Sequence, residues 1–159
     1  MERLKINIKG FKCFTDKTLE LNNITLLTGA NASGKSSVVQ ALLLLKNASE
    51  GSGARLLLSL DDQQYAFDFG SADSLINNEL KDDEVSIVLN DDIVMGFSGG
   101  EQEQSRKLLV GVEHLDGLKK VFVNGLTYFT AERQGPRYEY DRKAANDDGC
   151  GCRGENTGI

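Results

Sequence analysis

Nine consecutive residues, Gly29-Ala30-Asn31-Ala32-Ser33-Gly34-Lys35-Ser36-Ser37, carry the spacing G-x-x-x-x-G-K-[ST]. That spacing suits a polyphosphate. Gly29 and Gly34 let the backbone curl so that successive N–H groups of Ala30, Asn31, Ala32 and Ser33 face inward, and the positive end of a following helix adds to the field. Lys35 supplies the charge for the β- and γ-phosphates, the Ser36 hydroxyl is a candidate Mg²⁺ ligand, and Ser37 offers a further hydrogen bond to an α-phosphate oxygen. The competing reading, a chance glycine turn before a helix, is disfavoured by the flanks of the motif.

Those flanks are the elements that must position the loop. Ile24-Thr25-Leu26-Leu27-Thr28 is a short, β-branched and apolar run of buried-strand type, and residues 38–45 are continuously helix-compatible. Upstream, Leu4-Lys5-Ile6-Asn7-Ile8-Lys9 and Thr18-Leu19-Glu20-Leu21 alternate with period two, so residues 2–28 read as three strands with turns at Gly10 and Asn22-Asn23. The helix, Ser36 to about Asn47, carries apolar residues on nearly all sides and should be buried on most of them. An exit loop follows through Gly53. Further on, strands are expected at residues 54–60, 64–69, 85–89 and 93–97, with a short helix at 71–80 and hairpin turns at Asp91-Asp92 and Asn124-Gly125. The carboxylate clusters Asp61-Asp62, Asp82-Asp83-Glu84 and Asp91-Asp92 fall where Asp serves local turns rather than a metal. His114 has no partner at any motif spacing and reads as an ordinary surface or interface histidine.

The chain has 159 residues, 40% hydrophobic and 26% charged, which suits one globular domain. No apolar stretch approaches the roughly 18 residues of a membrane span, and Met1 opens no signal peptide, so a cytoplasmic chain is expected. Cys13, Cys150 and Cys152 form no even framework, which points to reduced thiols and away from zinc. Residues 1–60 carry eight Lys/Arg against four Asp/Glu, whereas residues 61–105 carry one against twelve. An acidic middle disfavours nonspecific nucleic-acid binding by that face; Arg3, Lys5, Lys9, Lys12 and Lys17 leave the N-terminal part weakly basic.

Residues 2–47, with Gly10-Phe11-Lys12-Cys13-Phe14, the loop and then Gln40-Ala41-Leu42, resemble the start of RecF/SMC/Rad50-like ABC-type ATPase heads. A second stretch, Tyr128-Phe129-Thr130-Ala131-Glu132-Arg133-Gln134-Gly135-Pro136-Arg137, resembles one in bacterial AAA-type P-loop ATPases related to RecF and to OLD-type ATPases. The resemblance implies an α/β P-loop NTPase fold, here the N-terminal lobe of an ABC-type ATPase head with an antiparallel β-subdomain. It also implies ATP with Mg²⁺, and hydrolysis by a homodimer of heads; DNA is a candidate partner, a membrane is not. The same resemblance makes Lys12 a candidate phosphate contact, with a solvated surface lysine as the alternative. Ala32 stands where these heads usually have Gly, and is expected to be accommodated only at negative φ. Arg133 or Arg137 is a candidate phosphate contact at a strand end, with a plain turn as the alternative.

Phe97-Ser98-Gly99-Gly100-Glu101-Gln102 is similar to the ABC signature, with residues 101–110 as the helix behind it. The context is wrong for one. A true signature is followed about twenty residues later by an apolar strand ending in Asp-Glu, whereas Lys120-Val121-Phe122-Val123 runs into Asn124-Gly125, so a strand end and glycine turn is preferred. No apolar strand after Lys35 ends in Asp-Glu, the residues that would hold Mg²⁺ and polarise an attacking water. The expectation is therefore one partial head domain, 1–159, made of a β–loop–helix part (1–53), an acidic β-rich part (54–125) and an incomplete strand and tail (126–159), whose catalytic residues are unknown and whose own C-terminal half is a missing partner. Two function classes remain: the nucleotide-binding half of an ATPase, and a nucleotide-responsive binding module without hydrolysis. A kinase or GTPase is a third, without an Asn-Lys-x-Asp motif to support it.

Overall fold

The computed structural model describes residues 3–62, 67–80, 83–99 and 106–129. Strands β1 (Leu4–Phe11) and β2 (Phe14–Leu21) form a hairpin, and α1 (Lys35–Ser49) follows the glycine loop. Then come β3 (Arg55–Ser59), the two-residue strands β4 (Asp61–Asp62) and β5 (Phe67–Asp68), a 3₁₀ turn at Ala72–Leu75, β6 (Glu84–Leu89), β7 (Ile93–Ser98), β8 (Lys107–Glu113) and α2 (Leu115–Val121). Six strands make one antiparallel sheet in the order β2-β1-β6-β7-β8-β3.

Strict alternation builds one face of this sheet. Ile6 and Ile8, Val85, Ile87 and Leu89, Met95, Leu108 and Val110, and Leu56 and Leu58 are all buried, while the residues that alternate with them are half-buried or exposed. Leu43, Leu44, Leu45 and Ala48 of α1 join the same cluster, so the helix is apolar because it is enclosed. At the helix end, Lys46 Nζ meets Glu50 Oε1 at 2.7 Å.

Several expectations need correction. Gly10 is not a turn: it lies within β1 at φ +70, and a Cβ there would run into the Glu84 carbonyl, so the glycine permits close approach of β6. The hairpin turns instead at Lys12-Cys13, with Phe11 facing Phe14. Residues 24–28 enter no ladder; Ile24 is 91% and Leu26 83% exposed. Both edges of β1 are already taken by β2 and β6, and the run joins neither edge strand of the sheet, β2 or β3. The helix expected at 71–80 is a single 3₁₀ turn, because the chain there pairs with the end of β1 instead: Lys12 N donates to Leu75 O and Asn77 N to Gly10 O, both at 2.8 Å. Residues 107–113 form β8, not the helix that a signature would need. The β6–β7 hairpin does turn at Asp91-Asp92, with Asn90 as a third turn residue between the paired Leu89 and Ile93; Asn90 and Asp91 take φ +52 and +60. Asn124-Gly125 closes α2, with Gly125 N donating to Phe122 O at 2.8 Å, rather than turning a hairpin.

Candidate nucleotide-binding site

Gly34 stands at the N-cap of α1 with φ +90. A Cβ there would lie 2.6 Å from the Phe14 ring and 2.7 Å from Cys13 Sγ, so only glycine lets the loop close against the β1–β2 turn. This contact fixes where a 15-residue helix begins, and that beginning is bare. It has no side-chain cap and no acidic residue in its first turn. Among the described residues, the amides of Lys35, Ser36 and Ser37 donate to no protein acceptor; the ladder starts with Val38 N to Gly34 O at 3.1 Å. A helix start of this kind leaves donors and positive field for an anion.

Lys35 is laced across the loop that precedes it. Its ammonium donates to Gly29 O at 2.9 Å, Ala30 O at 2.6 Å and Ser33 Oγ at 3.4 Å. Ser33 N closes the same turn on Ala30 O at 3.3 Å. The Ser36 hydroxyl is exposed at the helix start, whereas Ser37 is buried and accepts a weak hydrogen bond from the Cys13 thiol at 3.8 Å. A cleft of about 250 Å³ opens beside the loop, walled by Phe14, Leu19 and Leu26 and reached by Lys17 and Lys35.

Ala32 overturns its expectation: it adopts φ +62, the left-handed region, with its side chain exposed. The loop's curl requires that conformation whichever residue occupies it, and a Cβ makes it cost about 1–2 kcal/mol. Ala32→Gly should therefore raise the urea midpoint, by an increment equivalent to up to about 1 kcal/mol once the greater freedom of unfolded glycine is counted. A lowered midpoint would show that the loop does not hold this conformation in solution.

The structure does not bring Lys12 onto the loop. Lys12 takes φ +50 in the hairpin turn and its ammonium lies 5.9 Å from the centre of the Phe69 ring. Burial pushes its pKa below the usual lysine value, opposed by the neighbouring Cys13. Cys13 and Phe14, which fall in the stretch resembling ATPase heads but were given no role there, are the hairpin residues that touch the loop.

Of the clustered carboxylates, Asp61, Asp91 and Asp92 make local contacts, while Asp82 lies outside the described residues. Asp61 accepts from Ser59 Oγ at 2.6 Å, which with Arg106 holds its pKa below the usual carboxylate value. Asp91 meets Lys5 Nζ at 2.9 Å. His114 does have a partner, Asp92, at 2.6 Å from Nδ1. Among the described residues no group of three His, Cys, Asp or Glu side chains converges as a metal site, and no helix is long and apolar enough to cross a membrane. Ser98 ends β7, and Gly99 N donates to Asp83 O at 3.0 Å beside the β6–β7 pairing; Gly100, Glu101, Gln102, Arg133 and Arg137 lie outside the described residues.

No curated protein matches the chain. Among solved structures, one from work on ATP-driven dimerization and DNA-stimulated activation of SMC ATPases aligns with a TM-score of 0.40 and 17% identity, covering 77% of this chain and 78% of that one. The model of the AAA ATPase domain family matches residues 1–134, from the first hairpin through the glycine loop to Gln134. With a glycine loop, a lysine tied across it and an uncapped helix behind it, the chain belongs to the AAA ATPase domain family, with the α/β architecture of a P-loop NTPase.

Proposed function

We propose that this chain binds ATP with Mg²⁺ at the loop of residues 29–37. The observation that supports the reading is the bare start of α1, with three unsatisfied amides and no competing carboxylate, beside an ammonium already held by the loop's own carbonyls. The amides of Lys35, Ser36 and Ser37 and the Lys35 ammonium would hold phosphate oxygens, and the exposed Ser36 hydroxyl would hold Mg²⁺. The metal supplies charge neutralisation between phosphates when bound. Pre-tying Lys35 removes part of the ordering entropy that a free lysine would lose on binding. Lys12 reaches the nucleotide only by leaving Phe69. Calorimetric titration tests the reading: Mg-ATP and Mg-ADP should bind and adenosine should not, because the recognition lies in the phosphates. Adenosine binding as tightly as ATP would defeat it.

Hydrolysis is a separate matter. No apolar segment between Lys35 and Ile159 ends in Asp-Glu, so this chain by itself should release phosphate no faster than its Lys35→Ala variant. Release well above that variant would show that a residue polarising the attacking water lies within residues 36–159. The resemblance to ATPase heads makes a head-to-head homodimer, with added catalytic residues and DNA as a candidate partner, the context for turnover. The alternative is a nucleotide-responsive module that never hydrolyses.

A further inference from the structure

The two edge strands of the sheet are unlike. β2 carries Asp16, Lys17 and Glu20, charges of the kind that keep an edge from pairing. β3 reads Arg-Leu-Leu-Leu-Ser, with no proline and one charge. Val112 N donates to Ala54 O and Leu60 N to Arg106 O, both at 2.9 Å, so the even-numbered residues of β3 direct their main-chain groups at β8. Arg55, Leu57 and Ser59 therefore direct theirs outward. Among the described residues the partner found on that side is the Asn47 side chain, which donates to Ser59 O at 3.3 Å. Leu57, 61% exposed, stands directly opposite Leu109, 40% exposed, on the solvent face of the sheet.

We propose that β3 pairs antiparallel with β3 of a second copy of this chain, about a two-fold axis through Leu57. The register follows from the neighbours. Just beyond Ser59 the Leu60 carbonyl accepts from Phe69 N at 2.8 Å and the chain enters the β4–β5 pair, so pairing stops at Ser59; at the other end Gly53, at φ +99, turns the chain away before Arg55. Within those limits, the register that uses the whole open edge sets Leu57 against the partner's Leu57 and Arg55 against the partner's Ser59. All of these residues have outward main-chain groups, so the parity is right for hydrogen bonding. The apolar row then runs from Leu109 through both copies of Leu57 to the partner's Leu109. Charge agrees as well. Arg55 has no ion partner among the described residues, while Asp61 and Asp68 share the one guanidinium of Arg106, at 3.4 and 3.8 Å. The pairing sets Arg55 diagonal to the partner's Asp61 at both ends of the interface, within reach of a long side chain. A strand pair this short makes a weak dimer, with a dissociation constant on the order of micromolar.

This surface does not involve the glycine loop, so the dimer forms without nucleotide. Sedimentation of the full 159-residue chain over a dilution series, without ATP, should show a reversible monomer–dimer equilibrium that Lys35→Ala leaves intact. Leu57→Lys should raise the dissociation constant at least tenfold with an unchanged circular dichroism melt, because Leu57 is solvent-facing in the monomer. The register is read separately. With Cys13, Cys150 and Cys152 replaced by Ser, Leu57→Cys should cross-link to itself under mild oxidation and Arg55→Cys alone should not, since the paired Cα spacing of about 5.5 Å suits a disulfide only at the two-fold. A parent chain that stays monomeric at about 100 times micromolar concentration overturns the proposal. So does a dimer that survives Leu57→Lys but is lost when Ile24 and Leu26 are replaced by Lys.

Discussion

Lys35→Ala is expected to abolish the rise in melting temperature that Mg-ATP gives the parent chain, with superimposable far-ultraviolet circular dichroism. At a nucleotide concentration a hundredfold above Kd, linkage stabilises the folded state by about 2.7 kcal/mol. For a chain of this size that is about 5–10 °C. The variant should show none of it. Its nucleotide-free stability should fall by only about 1 kcal/mol, because the bonds from the ammonium to Gly29 O and Ala30 O lie at the surface, where water replaces the donor. A variant stabilised by Mg-ATP as much as its parent would mean that the nucleotide binds elsewhere.

Gly34→Ala should be the most damaging single methyl in the site. The added carbon meets Phe14 and Cys13 well inside contact distance, and φ +90 is itself unfavourable for Ala. The left-handed conformation costs about 1–2 kcal/mol. Overpacking adds about 1–3 kcal/mol. The sum, about 2–5 kcal/mol, should appear as a lower denaturant midpoint, together with loss of nucleotide binding as the start of α1 shifts off the hairpin. Adding Phe14→Ala to the same chain should return part of the stability by making room. If Gly34→Ala unfolds at the parent's midpoint, the packing of the hairpin turn on the loop is wrong.

The parts of this architecture written in local pattern were readable before any coordinates. Leu4 to Lys9, Val85 to Leu89 and Ile93 to Phe97 alternate, and each is a strand. Val38 to Leu45 is apolar all round and forms an enclosed helix. What failed was written in contacts between distant segments. Gly10 looked like a turn because the Glu84 carbonyl that presses on it lies more than seventy residues away in sequence. Residues 24–28 have strand composition, but a strand exists only where the chain reaches an edge, and this run joins neither of the sheet's edge strands, β2 or β3. Lys107 to Glu113 alternates clearly, yet its reading was coupled to the signature-like stretch before it, and only the pairing of Leu108 and Val110 with β3 settles its type. At the site, the loop and Lys35 were legible because the motif is contiguous. The hairpin residues that seat it, Cys13 and Phe14, come from another element and left no periodic trace. Ala32 was misjudged because the expectation rested on the residue's preference, whereas the loop's closure dictates its φ.

The most direct test of the central claim is the amide spectrum of uniformly ¹⁵N-labelled chain titrated with Mg-ATP and, separately, with Mg-pyrophosphate. The amides of Lys35, Ser36 and Ser37 are the unsatisfied donors at the start of α1, and both ligands should shift them along the same direction. Amides on the far edge of the sheet, such as those of β3, should hold still at concentrations where the chain is monomeric. Saturable shifts elsewhere, with Lys35 to Ser37 unmoved, would contradict the account.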